Sequence, residues 1–248
     1  MTPRFLPIAI VDHLVYAAPD LDSAVGALEA RVGVRAAAGG RHPDEGTHNA
    51  LLALGPAAYL EIVAPDPAQA PPPRPRWFGV DGVRAPRLVA WAAKAADLER
   101  RAAEAERAGV RLGAVRSGGR ARSDGVALSW RFTDPHTVLA GGIVPFLIDW
   151  GATPHPAGSA PAGLRLVDLR AEHPDPPSVR ALLERLGIDL PVAAGPAPAL
   201  IATLDTPRGR VVIRSRGPPR PRPRPAPRRP PLARPSPARC AAARRAVA

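Results

Sequence analysis

The chain has 248 residues, a formal charge of +12 and only 4% aromatic residues. That length allows one large domain or two small ones, with a core built mainly from Leu, Val, Ile and Ala. No run approaches a membrane span, the N-terminus lacks a charged-then-apolar signal pattern, and the lone Cys240 excludes an internal disulfide and a cysteine-based zinc site. A soluble cytoplasmic protein is the expectation.

Residues 11–17, Val-Asp-His-Leu-Val-Tyr-Ala, form an apolar strand-like run carrying one histidine. A helix follows over residues 20–32, with Asp20 as N-cap and Asp22 at the positive end of the helix dipole. Leu21, Val25, Leu28 and Val32 make one apolar stripe that should lie on a sheet, and Gly33 is the expected stop. Two further strands are expected, one in residues 46–54 and one at 59–63. A proline-rich connection over 65–86 carries Trp77 and Phe78, which either close over a pocket or pin the loop to the body.

A second strand at residues 88–92 leads to a helix over 97–108 ending at Gly109, then to strands at 127–132 and 143–150. A third run, 164–169, precedes a helix capped by Asp175 with Pro176 at its first position. Val179, Leu182, Leu183 and Leu186 form its stripe, and Gly187 ends it. Strands near 199–204 and 210–214 close the ordered chain. Gly118-Gly119 and Gly141-Gly142 suit hairpin turns. Each helix stops at a glycine followed by a β-branched residue, at spacings of 76 and 78. The chain therefore reads as three β-α-β-β type units, the first two paired over residues 8–150 and the third, over 151–216, shorter.

Residues 217–248 differ in kind. They hold nine Arg, ten Pro and no carboxylate; subtracting those nine charges from +12 leaves +3 for residues 1–216. Such a segment buries too little to offset its ordering entropy, so it is expected to be disordered or partly polyproline II. A tail this monotonous reads first as out-of-frame or drifted sequence, and second as an arm for nucleic acid or an acidic membrane.

Four segments together resemble the vicinal-oxygen-chelate superfamily, in its glyoxalase-like-domain branch. They are Asp12-His13-Leu14-Val15-Tyr16 with Pro19-Asp20-Leu21, Gly46-Thr47-His48-Asn49, Tyr59-Leu60-Glu61-Ile62, and Pro145-Phe146-Leu147-Ile148-Asp149-Trp150. The resemblance covers residues 8–190 and implies an α+β fold of tandem βαβββ modules whose curved mixed sheets enclose a cleft. It also implies a divalent metal in that cleft, with Fe, Mn, Zn, Ni and Co indistinguishable, although some members only bind a small molecule. Carried over by position, the metal residues are His13 and Glu61, with Asp149 as a third ligand. The remaining family histidine has no counterpart, because its place falls near Ala90-Trp91.

Strand alternation adds an independent argument. It puts His13 on a face with Val11 and Val15, and Glu61 with Tyr59 and Val63, where a charge is costly unless paired or ligated. For Glu61 the alternative is an ion pair with an arginine such as Arg131, and for His13 a hydrogen-bonded core histidine. His48 reads as catalytic acid/base or ligand, or as a turn residue beside Asn49. Asn49, Trp91 and Trp130 are assigned to substrate contact. His42, His136, His155 and His173 adjoin prolines and read as loop residues.

The leading expectation is a metal-dependent lyase, isomerase or dioxygenase acting on a small oxygen-rich metabolite. Its rival is a metal-free small-molecule binding or sequestering protein using the same cleft, with Trp91 stacking on the ligand. A homodimer is compatible with either reading; nucleic acid enters only through the tail, and no membrane is involved.

Overall fold

The three glycine stops set the frame. Gly33, Gly109 and Gly187 all take the left-handed conformation, with φ of 82°, 80° and 71°, which lets each helix end and the chain turn back toward the sheet. In the computed structural model, which describes residues 10–121 and 125–215, the helices are α1 (Leu21–Val32), α2 (Leu98–Arg107) and α3 (Pro176–Arg185). Asp20 caps α1 by accepting from the Ser23 N–H at 2.8 Å, and Asp175 caps α3 through Ser178 at 3.3 Å. None of the described helices is long and apolar enough to cross a membrane. The arginine-rich tail and Cys240 lie outside the described residues.

Eight strands form one sheet: β1 (Val11–Ala17), β2 (Ala37–His42), β3 (Thr47–Ala53), β4 (Tyr59–Pro65), β5 (Arg87–Lys94), β6 (Val115–Ala121), β7 (Ala127–Thr133) and β8 (Phe146–Asp149). Their order is β2-β3-β4-β1-β5-β8-β7-β6. Each half is a βαβββ module whose first and last strands pair in parallel, and the halves meet along the antiparallel β1–β5 seam. The sheet curls until its edges approach, and the Arg120 guanidinium on β6 donates to the Gly39 carbonyl on β2.

Alternation then sorts the side chains. On the convex side, Leu14, Leu60, Ile62 and Leu147 join the α1 stripe of Leu21, Val25, Leu28 and Val32 in the main core. On the concave side, Val15, Ala17, Val63, Ala90, Ala92 and Ile148 form a second cluster with Trp77, Phe78, Trp130, Phe132 and Phe146.

The third unit repeats the order of elements but not their pairing. After β9 (Arg165–His173) and α3 come β10 (Val192–Ala194), β11 (Ala199–Thr206) and β12 (Gly209–Arg214). It thus has a full set of three strands after its helix, where the sequence suggests two, because β10 is only three residues long. The sheet runs β10-β9-β11-β12, with β9 beside β10 in parallel rather than beside its last strand. Leu166, Leu169, Leu200 and Leu204 join the main core, so the strands of this unit cover the convex side, while Ala157, ahead of β9, packs against Leu51 and Tyr59.

Gly118 and Gly119 lie within β6 and do not form a turn. Gly118 sits opposite Trp130 in the β6–β7 ladder, and a Cβ placed there would come within 2.5 Å of the indole. The indole therefore lies over bare backbone. Gly118→Ala should displace Trp130 and lower stability by about 1–3 kcal/mol through overpacking. Urea unfolding followed by tryptophan emission measures it, and an unchanged midpoint would mean the ring slides aside without loss.

Candidate functional site

The cleft begins at an irregularity in β1. Val11 pairs with Ala93 and His13 with Ala92, so Asp12 is an extra residue opposite a single step. Such a bulge resets which side chains share a face. Val11 turns to the main core with Leu14, while His13 faces the cleft with Val15 and Ala17. The expectation that Val11 and His13 share a face fails by this one residue.

Asp12 is 1% exposed and accepts from three side chains. His13 Nδ1 lies 2.8 Å from Oδ1, His155 Nε2 lies 3.1 Å from Oδ2, and Trp150 Nε1 donates to both oxygens at 3.2 Å. Burial opposes the charged form, but the hydrogen bonds from His13 and His155 outweigh it and hold this carboxyl well below its ordinary value of 3.8. The tautomers follow from the partners. His155 Nδ1 accepts from the Ala157 N–H at 3.2 Å, so its hydrogen is on Nε2. His13 gives its Nδ1 hydrogen to Asp12, which turns Nε2 toward Glu61, 3.8 Å from Oε2. Tyr59 stacks on the His13 ring at 4.7 Å, and burial followed by the Asp12 and Glu61 charges pushes its phenol up, so it stays neutral.

Glu61 and Asn49 come from adjacent strands, and Asn49 donates through Nδ2 to Oε1 at 2.6 Å. The same amide group lies 3.5 Å from His42 Nε2, while His42 Nδ1 is 3.1 Å from Thr47 Oγ1. His42 is therefore the Nδ1–H tautomer. Burial pushes it down to about 4, with the Arg120 charge adding to the effect and Glu61 opposing it. It is neutral at pH 7. Arg120 lines the same cavity, and so do Trp77, Phe78, Trp130, Phe132, Phe146 and Trp150.

Only about 30 Å³ of this cavity is free, room for a water or two. Two of its lining residues bury a polar atom, Trp77 Nε1 and Asn49 Oδ1, without a hydrogen-bond partner among the described residues. An unmet buried group costs about 1–3 kcal/mol, so such atoms are few in folded proteins and mark places where something else binds.

The residues singled out from sequence divide cleanly. His13, Glu61, Asn49 and Trp130 line the cavity. His48, read as catalytic, does not. It alternates with Thr47 and Asn49 on β3, so it shares the convex face with Ala50 and Leu52. Asp149 follows cavity-lining Ile148 and so turns outward, accepting from the Gly151 N–H at 2.8 Å. Trp91, read as a stacking residue, is fully buried in the main core and donates to the Ile143 carbonyl at 2.8 Å. Arg131 pairs with Glu99 outside the cleft, and the cleft arginine is Arg120.

Four participants are missed by sequence reasoning. Asp12 carries a signal, a carboxylate inside an apolar strand. His42 and His155 are masked by their neighbouring prolines, and Arg120 reaches the site only because the sheet closes.

A divalent cation in this cleft would need three or more nitrogen or oxygen ligands around one point. His13 and Glu61 supply two. Across the seam the concave positions of β5 and β8 are Ala90, Ala92, Phe146 and Ile148, which offer only carbon. Among the described residues, no three His, Cys, Asp or Glu side chains converge as a metal site would require. With Asp149 turned outward, His13 and Glu61 are too few donors for a resident divalent metal.

Two βαβββ modules joined edge to edge around a concave cleft define the vicinal-oxygen-chelate class of fold. The chain belongs to the glyoxalase-like domain family, whose sequence profile matches residues 11–187. No curated protein matches it. Among solved structures, a hypothetical protein from Staphylococcus aureus is similar over 82% of this chain and 84% of its own, at 12% identity and a TM-score of 0.56. Methylmalonyl-CoA epimerase from Mycobacterium tuberculosis matches 59% of this chain and 91% of its own, at 22% identity and a TM-score of 0.39. The Streptomyces coelicolor epimerase matches 58% and 96%, at 21% and 0.40. At 12% identity the likeness to the Staphylococcus aureus protein is one of fold.

Proposed function

We propose that this protein binds a small molecule in the concave cleft without a resident metal ion. His13 and Glu61 form the polar floor, and the aromatic rings form the walls. The observation that carries this reading is the grouping of polar side chains against aromatic walls. His13, His42, Asn49 and Glu61 line the cleft from the first module, and the second module meets them with Trp130, Phe132, Phe146 and Ile148, Arg120 adding a charge at the rim of the sheet. Such a site orients an oxygen-bearing ligand through a few hydrogen bonds and excludes water over the rest of its surface.

A second reading, proton transfer on the bound molecule, is favoured by the Asp12–His13 hydrogen bond. It fixes the ring so that Nε2 alone meets the cavity, which is the arrangement a general acid or base requires.

The test is metal titration of chelator-stripped protein. Zn²⁺ and Mn²⁺ should give neither one-equivalent binding in calorimetry nor a shift in the unfolding midpoint. Glu61→Gln should keep stability within about 1 kcal/mol of the parent, since it preserves the Asn49 contact and relieves a buried charge. Tight binding of one equivalent, lost in Glu61→Gln, would sink the reading.

A further inference from the structure

The space where a ligand would sit is filled by the protein itself. Between β4 and β5 the short turn Trp77–Gly82 drops two rings into the cleft, leaving too little room for an organic molecule. Phe78 lies between Trp77, at 5.1 Å between ring centroids, and Phe146, at 5.5 Å. Phe146 in turn meets the His13 ring at 5.5 Å. A single six-membered ring thus occupies an aromatic slot that leads to the polar floor.

Two features distinguish this turn from ordinary core. Phe78 sits at φ 54° and ψ 12°, the left-handed region that disfavours residues with a side chain. The indole N–H of Trp77, a lining residue of the cavity, is buried without a partner among the described residues. A core plug has no need of either. The flanks of the turn are held elsewhere: Arg76 binds Asp81 at 2.6 Å and the Gly46 carbonyl at 2.9 Å, and Arg74 binds Glu45 at 2.5 Å. The Phe78 ring can leave while Trp77 and these anchors stay.

We infer that Phe78 holds the place of the ligand, and that the ligand class is a single aromatic ring bearing a hydroxyl group. The ring takes the slot beside Phe146. The hydroxyl oxygen accepts the Trp77 N–H, and its hydrogen goes to the carboxylate and imidazole floor. This inference rests on the reading of the cleft as a small-molecule site.

Phenol is the probe, with toluene as the same ring lacking the hydroxyl. Titrations of the full-length protein are followed on the four indole N–H resonances by NMR, with Trp77→Phe assigning the one that matters. Phenol should move the Trp77 N–H proton saturably downfield, as a new hydrogen bond does, and toluene should bind without that downfield shift. Trp77→Phe should weaken phenol about threefold to tenfold, the worth of one neutral hydrogen bond, and leave toluene unchanged. Phe78→Ala should tighten both by removing the competing ring. Phenol saturating without a downfield shift of the Trp77 N–H overturns the inference, as does Phe78→Ala having no effect on either affinity. Toluene binding without phenol overturns the inference alone, whereas failure of both probes overturns the small-molecule reading with it.

Discussion

Acidification from pH 7 to 4.5 should lower folding stability by about 2–3 kcal/mol through His42 alone. This ring is buried, and its folded-state value is pushed from 6.5 down to about 4. Between those values the unfolded chain binds a proton that the folded chain refuses, so stability falls as pH falls from 6.5 toward 4 and levels off below. Down to about pH 5 carboxylates stay ionised, so the loss there is that of His42; nearer pH 4 the aspartates held low in the fold add their own. Urea unfolding at a series of pH values measures it. His42→Leu should flatten the curve over that window while weakening the protein at pH 7, because Thr47 loses a partner. A His42→Leu curve parallel to the parent's would show that the ring is protonated in the fold and that its surroundings are wetter than the packing implies.

Asp12→Asn should have an effect of similar size by a different route. The carboxylate accepts from His13, His155 and Trp150 at once, and an amide has only one oxygen to offer them. Its NH₂ group must face a donor, leaving one imidazole to change tautomer or lose its bond. Hydrogen bonds to a charged group are worth about 1.5–3 kcal/mol each, so a loss of about 2–4 kcal/mol is expected. The parent's share of this stability is fully present above the ordinary carboxylate value of 3.8, and it disappears only as pH falls through the lower folded-state value. Nitrogen-15 shifts of His13 and His155 supply the second readout. The parent should show His13 as the Nδ1–H form and His155 as the Nε2–H form, and Asp12→Asn should disturb at least one. A variant with unchanged stability and unchanged tautomers would remove Asp12 from its place at the centre of the network.

Most of the frame can be read locally. Helix stripes, caps and glycine stops depend on a few adjacent residues, and the three helices fall where these signals place them. Strand alternation likewise places Glu61 beside Tyr59 on the cleft side. Alternation fails where the register is broken. The Asp12 bulge is invisible to a period of two, and Trp91 reads equally well on either face until Ala90 and Ala92 are seen to line the cleft. Residues brought in by closure of the sheet are the least legible. His42 ends a strand that Gly39 and Gly40 obscure, and Arg120 belongs to a strand whose two glycines imitate a turn. His48 misleads for the opposite reason. A strand preceded by Gly-Thr looks like the mouth of a site, but one residue of phase turns its ring to the convex face.

The meeting of β2 and β6 also bears on solubility. An exposed strand edge is a template on which a second chain can add by backbone hydrogen bonding. Here the two ends of the large sheet face each other, with Arg120 clasping the Gly39 carbonyl between them. The open edges left among the described residues belong to the small sheet, and both are poor templates. β10 offers three residues, and on β12 the Val212 carbonyl already accepts from Arg31 at 3.0 Å. Loosening the Arg120 clasp would therefore do more than widen the cleft. It would free two six- and seven-residue edges for intermolecular strand addition, and self-association in the cold, concentrated protein would be its first symptom.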